Sequence, residues 1–398
     1  MRFDTLPLGD LCSSIEDGDW IESKDQGGED FRLLQVGNVG VGVFRETGNY
    51  RFVSAETFGR LRCRELRVGD VLVSRMPDPV GRAWHIRRAL PWKSITAVDV
   101  AIVSPNPAKL DPAYCAYFLN SPQNLDHARA RAGGTTRLRI TRRDLATFPI
   151  PVPPLAEQRR IASILSAYDD LIENNTRRIA ILEEMARRIY EEWFVRFRFP
   201  GHQGVRMVAS ELGLVPEGWP VVRIDDVLVL QRGFDLPKQD RTEGPFPIVS
   251  ATGVSGSHHE HRVKGAGVVT GRSGSLGTVI YVEGDFWPLN TTLWVKHFRV
   301  GSPLYAYYVL TGIDLAGFNS GAAVPTLNRN DVHGLPTTKP PEELLRRFDE
   351  VAGPMIKLKR RLELSNIKLR DTRDLLLPKL ISGELDVSAM PEPDAVAA

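Results

Sequence analysis

Arg143-Asp144-Leu145, Phe148-Pro149, Pro153-Pro154 and Arg159-Arg160-Ile161 return later in the chain as Asn330-Asp331-Val332, Leu335-Pro336, Pro340-Pro341 and Arg346-Arg347-Phe348. A single offset, 330 minus 143 or 187 residues, aligns all four without a gap. Upstream the echo continues with small changes of offset. Pro112-Ala113-Tyr114 with Tyr117 answers to Pro303-Leu304-Tyr305 with Tyr308, and Gly69 to Arg75 answers to Gly265 to Arg272. Solenoid repeats run to roughly 20–50 residues, so a repeat this long makes each copy a folded unit rather than one layer of a stack. The molecule is expected to have a pseudo-two-fold axis and to bind two copies of something, or two halves of one thing.

Each copy changes texture midway. Up to Pro154 the chain shows short apolar runs broken by Gly, Pro, Asn and Asp. Val36-Gly37-Asn38-Val39, Asp70 to Val73 and Asp99 to Val103 read as strands, and Ala113 to Leu119 as a short helix. From Leu155 to Phe197 neither Gly nor Pro occurs. Within that stretch Ile161, Tyr168, Asn175, Leu182 and Ile189 are spaced by seven, as are Leu165, Ile172, Ile179, Ala186 and Trp193. Alternating steps of four and three form a coiled-coil seam. In the second copy Phe348, Met355, Leu362, Leu369 and Leu376 keep one row, while Ala352, Lys359, Asn366, Arg373 and Leu380 make the other more polar. Pro354 is expected to kink or restart this helix. Asn175 and Asn366 read either as register-setting seam residues or as tolerated ones.

The fold class is therefore α+β: two pseudo-two-fold-related mixed α/β domains separated by two long helices that form an antiparallel coiled coil. The expected boundaries are 1–154 for the first domain, 155–197 for the central helix and 198–220 for a linker. They continue with 221–341 for the second domain, 342–385 for the distal helix and 386–398 for a disordered tail.

At 398 residues, with 42% hydrophobic and 25% charged residues, the chain has the composition of a soluble globular protein of two or three domains. No apolar run approaches the roughly 18 residues of a membrane span, and Met1-Arg2-Phe3-Asp4 lacks a secretory core, so a cytoplasmic location is expected. Three cysteines without a C-x-x-C exclude a disulfide framework and a cysteine-built zinc site. A net charge of +2 neither demands nor excludes nucleic acid.

Pro153-Pro154-Leu155-Ala156-Glu157-Gln158-Arg159-Arg160-Ile161, running into Leu182-Glu183-Glu184-Met185 and Glu192-Trp193-Phe194, carries a family resemblance. So do Leu375 to Leu385 and the segment Gly271-Arg272-Ser273-Gly274-Ser275-Leu276-Gly277-Thr278-Val279. Over nearly its whole length the chain resembles the specificity subunit of type I restriction–modification enzymes. One departure is Leu344-Leu345 where the first copy has Glu157-Gln158. The resemblance implies two target-recognition domains, each reading one half of a split double-stranded DNA sequence at a spacing set by the helices. It implies two modification (methyltransferase) subunits docked on the helices, with two restriction (motor and nuclease) subunits as optional further partners. S-adenosylmethionine, ATP and magnesium are then expected on partner subunits, with no cofactor, no metal and no catalytic residue in this chain. The residues agree on one point: no G-x-x-x-x-G-K-[ST] phosphate loop occurs.

Arg129, Arg131, Arg137, Arg139, Arg142 and Arg143 crowd around Gly133-Gly134-Thr135-Thr136. Arginine bridges guanine or clamps phosphate, and glycine admits a close backbone, so Arg129, Arg131, Thr135, Thr136, Arg137 and Arg139 are DNA-contact candidates. A solvated basic loop is the plainer reading. Arg75 and Arg82, with Arg272, Ser273 and Ser275 in the other copy, form a second candidate group. His258-His259-Glu260-His261 suggests metal, but adjacent histidines on a strand face opposite ways. Trp92, Trp287, Trp294, Tyr114 and Tyr305 read as core. Ile164, Leu171, Met185, Trp193 and Leu376 are the candidate partner-docking residues. A two-fold coiled-coil adaptor that joins proteins without reading DNA fits the duplication and the helices equally well, and only the arginine cluster favours DNA.

Overall fold

The computed structural model describes residues 3–77, 79–134, 137–321 and 324–391. Contacts divide the chain into two units, one made of Met1–Asn175 with Ser365–Ala398, the other of Thr176–Leu364. Each unit thus holds one domain and a portion of both long helices.

The two units repeat one topology. In the first, a four-stranded antiparallel sheet runs in the order Cys12–Asp17, Val100–Pro105, Val71–Ser74, Ala83–His85. In the second, the order is Leu228–Arg232, Thr292–Phe298, Gly267–Gly271, Val279–Val282. Each unit adds a three-stranded sheet with one parallel pairing, Arg32 opposite Ser94 and Ile248 opposite Trp287. Each also closes with a short pair, Thr5–Pro7 on Pro149–Pro151 and Val221–Arg223 on Pro336–Thr338.

Local chemistry sets the elements. Asp111 caps the helix Pro112–Leu119 by accepting from Tyr114 N at 2.9 Å, with proline at the first helical position. Ser302 does the same for Pro303–Thr311 through Tyr305 N. The residues read as a strand at Val36 form a 3-10 turn, Val36–Asn38, because the Asn38 side chain accepts from Gln35 N and donates to Arg45 O. Residues 198–220 are more than a connector. Met207–Ser210 and Gly213–Pro216 pair as a hairpin, and Phe199 stacks on Trp219 at 5.2 Å inside the second core.

The first long helix spans Leu155–Tyr190 and ends in a π turn, Glu191–Val195. The second spans Glu342–Ser382, running on through exposed Pro354, so the helix does not restart there. All twenty seam positions read from the sequence are buried or half-buried. Within the first unit Asp169 meets Arg373, and Asn175 donates to Asn366 Oδ1 at 2.9 Å. Within the second, Glu183 meets Lys359 and Tyr190 meets Phe348. Rising numbers on one helix meet falling numbers on the other, so the segments run antiparallel in each unit.

The first core gathers Tyr114, Phe148, Leu8 and Leu11 with Ile161 and Leu165 of one helix and Leu377, Leu380 and Ile381 of the other. Val387, assigned to the tail by sequence, is buried in this core as well. The second core centres on Tyr305, Phe348, Phe194 and Trp219. Glu157-Gln158 finds its explanation at the start of the first helix. Gln158 is fully buried, accepts from Asp111 N at 2.9 Å, and donates to Lys109 O and Pro153 O at 3.0 Å. Its counterpart Leu345 is buried among apolar side chains of the second core. Among the described residues, no helix is long and apolar enough to cross a membrane.

Candidate nucleic-acid interface

The arginine cluster is built on a hairpin flanked by two helix ends. Gly133 and Arg139 exchange both backbone hydrogen bonds, at 3.0 and 2.9 Å, which lifts Arg137 to the loop. Arg129 and Arg131 occupy the last turn of the helix Pro122–Arg131, where cations complement the helix dipole. Thr141 and Asp144 form a capping box on Arg142–Ala146, which sets Arg142 and Arg143 in its first turn. The Thr141 hydroxyl holds the Asp144 carboxyl below its ordinary range, with Arg131 and Arg143 adding to the effect, so both arginines stand near that carboxylate. Arg129, Arg131, Arg137, Arg139, Arg142 and Arg143 are all exposed. Thr135 and Thr136 lie outside the described residues.

Arg75 and Arg82 play another part. Arg75 is 4% exposed, pairs with Asp17 at 3.1 Å and donates to Val98 O, while its carbonyl accepts from Ile140 N. Burial, ahead of the opposing effect of Asp17, pulls its pKa down. Arg82 is 6% exposed and donates to the carbonyls of Val36, Val39, Pro77 and Pro79. Both are therefore buried and fasten loops through their hydrogen bonds. A charged side chain with that many buried partners is a brace, since releasing it would orphan several carbonyls. Arg139 bonds Asp99 at 2.9 Å and Arg142 lies 3.9 Å from Asp17, so the exposed cluster rests on the same pair of carboxylates.

The second unit reproduces the scaffold with other chemistry. Arg272 N donates to Thr291 O and its carbonyl accepts from Leu327 N at 2.8 Å, matching Arg75 with Asp99 and Ile140. Asn319 and Leu327 bridge as Gly133 and Arg139 do. Gly274 N donates to Pro325 O, which locks the loop after Arg272 onto this hairpin. A Cβ on Gly271 would stand 1.9 Å from the Ser275 carbonyl, so only glycine permits the turn. Arg272 and Ser273 are half-buried and Ser275 is exposed. Arg329, exposed at the start of Arg329–His333, occupies the position of Arg142. Sequence reading passed over it, although the 187-residue offset points straight to it.

Other expectations divide. Tyr114, Tyr305 and Trp287 are buried, whereas Trp92 is 41% exposed. Trp92 and Tyr50 flank the Arg32 guanidinium at 4.9 and 4.6 Å, and Trp20 is 70% exposed. Periodicity does not mark these aromatics as exposed. His258 is buried on Thr242 and Trp287, and His261 lies 3.6 Å from Asp285. Among the described residues, no group of three or more His, Cys, Asp or Glu is placed to hold a metal ion. Of the docking candidates, Leu171 and Met185 are exposed, while Ile164 and Leu376 pack on the first core and Trp193 on the second.

Two copies of one domain, each continued by a long helix and the first bearing a cationic hairpin, define a duplicated binding scaffold. Residues 3–184 match the family described as the type I restriction modification DNA specificity domain. The chain is 25% identical over 302 residues to the type I restriction enzyme MjaIX specificity subunit of Methanocaldococcus jannaschii, covering 70% of each. It is 30% identical over 124 residues to the MjaVIII specificity subunit of the same organism, covering 31% of this chain and 28% of that one. The crystal structure of a type I restriction–modification S subunit from M. genitalium covers 96% of both chains, with a TM-score of 0.64 and 17% identity, and so shares the fold. Residues 3–184 thus carry a type I restriction modification DNA specificity domain, and over most of its length the chain is similar to type I restriction enzyme specificity subunits.

Proposed function

We propose that this chain is the sequence-specific DNA-recognition subunit of a type I restriction–modification system, with each globular domain reading one half of a bipartite target. The observation that supports this best is the paired loop and hairpin at corresponding places in both domains, with six exposed arginines at the first. Arginines on a hairpin and two helix ends suit the backbone phosphates that give a protein its register on the duplex. The second domain, where Arg272 is half-buried and Arg329 stands alone at its helix start, would grip with fewer cations. The long helices would set the separation of the half-sites and dock two modification subunits, with exposed Leu171 and Met185 among the contacts. Two restriction subunits would complete the nuclease form. The chain itself would act without catalysis in the cytoplasm, leaving S-adenosylmethionine, ATP and magnesium to those partners.

Methylation mapping of DNA from cells expressing this chain with its modification subunit tests the proposal. A single split motif, lost when the chain is deleted, is the expected result. Methylation that persists unchanged without the chain would refute it.

A further inference from the structure

The first domain is held to its helix by ion pairs, and the corresponding positions of the second unit carry the opposite charges. In the first unit Arg87, just past the strand Ala83–His85, forms a bidentate pair with Asp170 at 2.7 and 3.2 Å. Arg88 pairs with Glu173 at 3.0 and 3.2 Å, and Tyr117 donates to Asp169 at 2.6 Å. Bidentate guanidinium–carboxylate pairs fix orientation as well as distance.

The counterpart positions follow from backbone geometry. Arg75 corresponds to Arg272 by their shared hydrogen bonds, and Val73 opposite Ala83 matches Thr270 opposite Val279. Four residues on from each partner, Arg87 corresponds to Glu283 and Arg88 to Gly284. On the helices the 187-residue offset carries Asp170 to Lys357 and Glu173 to Arg360. Cation on the sheet and anion on the helix in the first unit become anion on the sheet and cation on the helix in the second. Among the described residues Glu283 makes no ion pair. Arg360 and Lys359 bond Glu363 and Glu183 instead. A cleft of about 1310 Å³ separates the strand end from the helix, with Glu283, Lys359 and Arg360 on its walls. The groups that act on the Glu283 carboxyl after its own burial are Arg360, Glu363, Lys359 and Lys357, so it already lies in the field of these cations.

We infer that Arg87 and Arg88 with Asp170 and Glu173 form a clasp that positions the first domain on its helix, and that Glu283 with Lys357 and Arg360 is the charge-reversed clasp of the second domain, open in this structure. Reversal gives each domain an address. Arg87 and Arg88 laid against Lys357 and Arg360 would meet like charges, as would Glu283 against Asp170 and Glu173. A duplicated chain whose domains share one topology needs such a distinction to place each on its own helix. The inference stands whether or not the loops read DNA.

Amide hydrogen exchange on the full-length chain tests it. Arg87→Glu with Arg88→Glu should raise exchange in Ala83–His85 and in residues 165–175 by about tenfold, the scale of two exposed pairs turned to repulsion. Adding Asp170→Arg and Glu173→Arg should restore protection, and adding Lys357→Glu and Arg360→Glu should not. Glu283→Lys should speed exchange in Val279–Val282, with rescue by Lys357→Glu and Arg360→Glu alone. If the reversed first clasp does not fold, Asp170→Asn with Glu173→Gln should still raise exchange in the same segments. Unchanged exchange on breaking either clasp, or rescue by the other unit's helix, would overturn the inference.

Discussion

Replacing Gln158 with leucine, the residue its counterpart Leu345 already is, separates the wiring of the first domain from that of the second. The side chain is fully buried and serves three backbone groups: Asp111 N, Lys109 O and Pro153 O. Leucine refills most of the volume and removes all three bonds. Each buried group left without a partner costs about 1–3 kcal/mol, and the apolar gain of leucine offsets part of the sum. A loss of about 2–5 kcal/mol follows, which is on the order of 30- to several-thousand-fold in the opening equilibrium, at about 1.4 kcal/mol per decade. Asp111 also caps Pro112–Leu119, so the effect should centre on that helix and on the start of the first long helix. Native-state hydrogen exchange on the full chain reads both places at once. Leu345→Gln should destabilise the second unit, because nothing among its apolar neighbours satisfies an amide. Protection at Tyr114 to Leu119 within twofold of the parent in Gln158→Leu would refute the reasoning.

Arg137→Ala with Arg139→Ala should leave the complex assembled and weaken DNA binding; if these arginines bind phosphate, the slope of log affinity against log salt falls by about 0.9 for each phosphate no longer neutralised, as titrations at several salt concentrations would read. Asn366→Leu should cost about 1–3 kcal/mol in urea unfolding, because the Asn175 amide keeps no partner, while replacing both asparagines should restore stability and relax the register. Burial first, then the nearby Arg87, pushes the His85 pKa down to about 4 from 6.5. A folded value below the unfolded one means that stability is fully present above about pH 6.5 and is lost as pH falls towards 4, so His85→Gln should flatten unfolding free energy across that window. One heptad added to both long helices should lengthen the unread gap by at most about three base pairs, from seven residues at about 1.5 Å and base pairs at about 3.4 Å, with both half-sites unchanged on methylation mapping.

Periodicity revealed what depends on periodicity. The seam from Ile161 to Trp193 and from Phe348 to Leu380 could be read by counting, because a buried stripe must recur every three and four residues. Lys359, Asn366 and Arg373 looked out of place there and proved to be the residues that bond across it. The arginines divided on a property that composition does not carry. Arg75 and Arg137 are the same residue type beside glycine-containing loops, and only the carbonyls around Arg75 make it a brace. Val36 to Val39 misled because a short apolar run does not reveal that Asn38 will close a turn through its own side chain. Trp20 and Trp92, exposed and aromatic, left no trace, since an isolated tryptophan reads as core by default.

The first unit is discontinuous in sequence, and that orders its making. Leu377, Leu380, Ile381 and Val387 belong to the core begun by Leu8 and Leu11, whereas the second unit is one unbroken stretch from Thr176 to Leu364. During synthesis the second unit can close as soon as its own last residue leaves the ribosome. The first must wait for about 200 further residues beyond Asn175, on the order of 10–40 s at roughly 5–20 residues per second. Throughout that interval Ile161 and Leu165 stand without the side chains that later cover them. The domain translated first is therefore the last to be finished, and a ribosome stalled anywhere between residues 176 and 376 holds a chain whose first core is missing one wall.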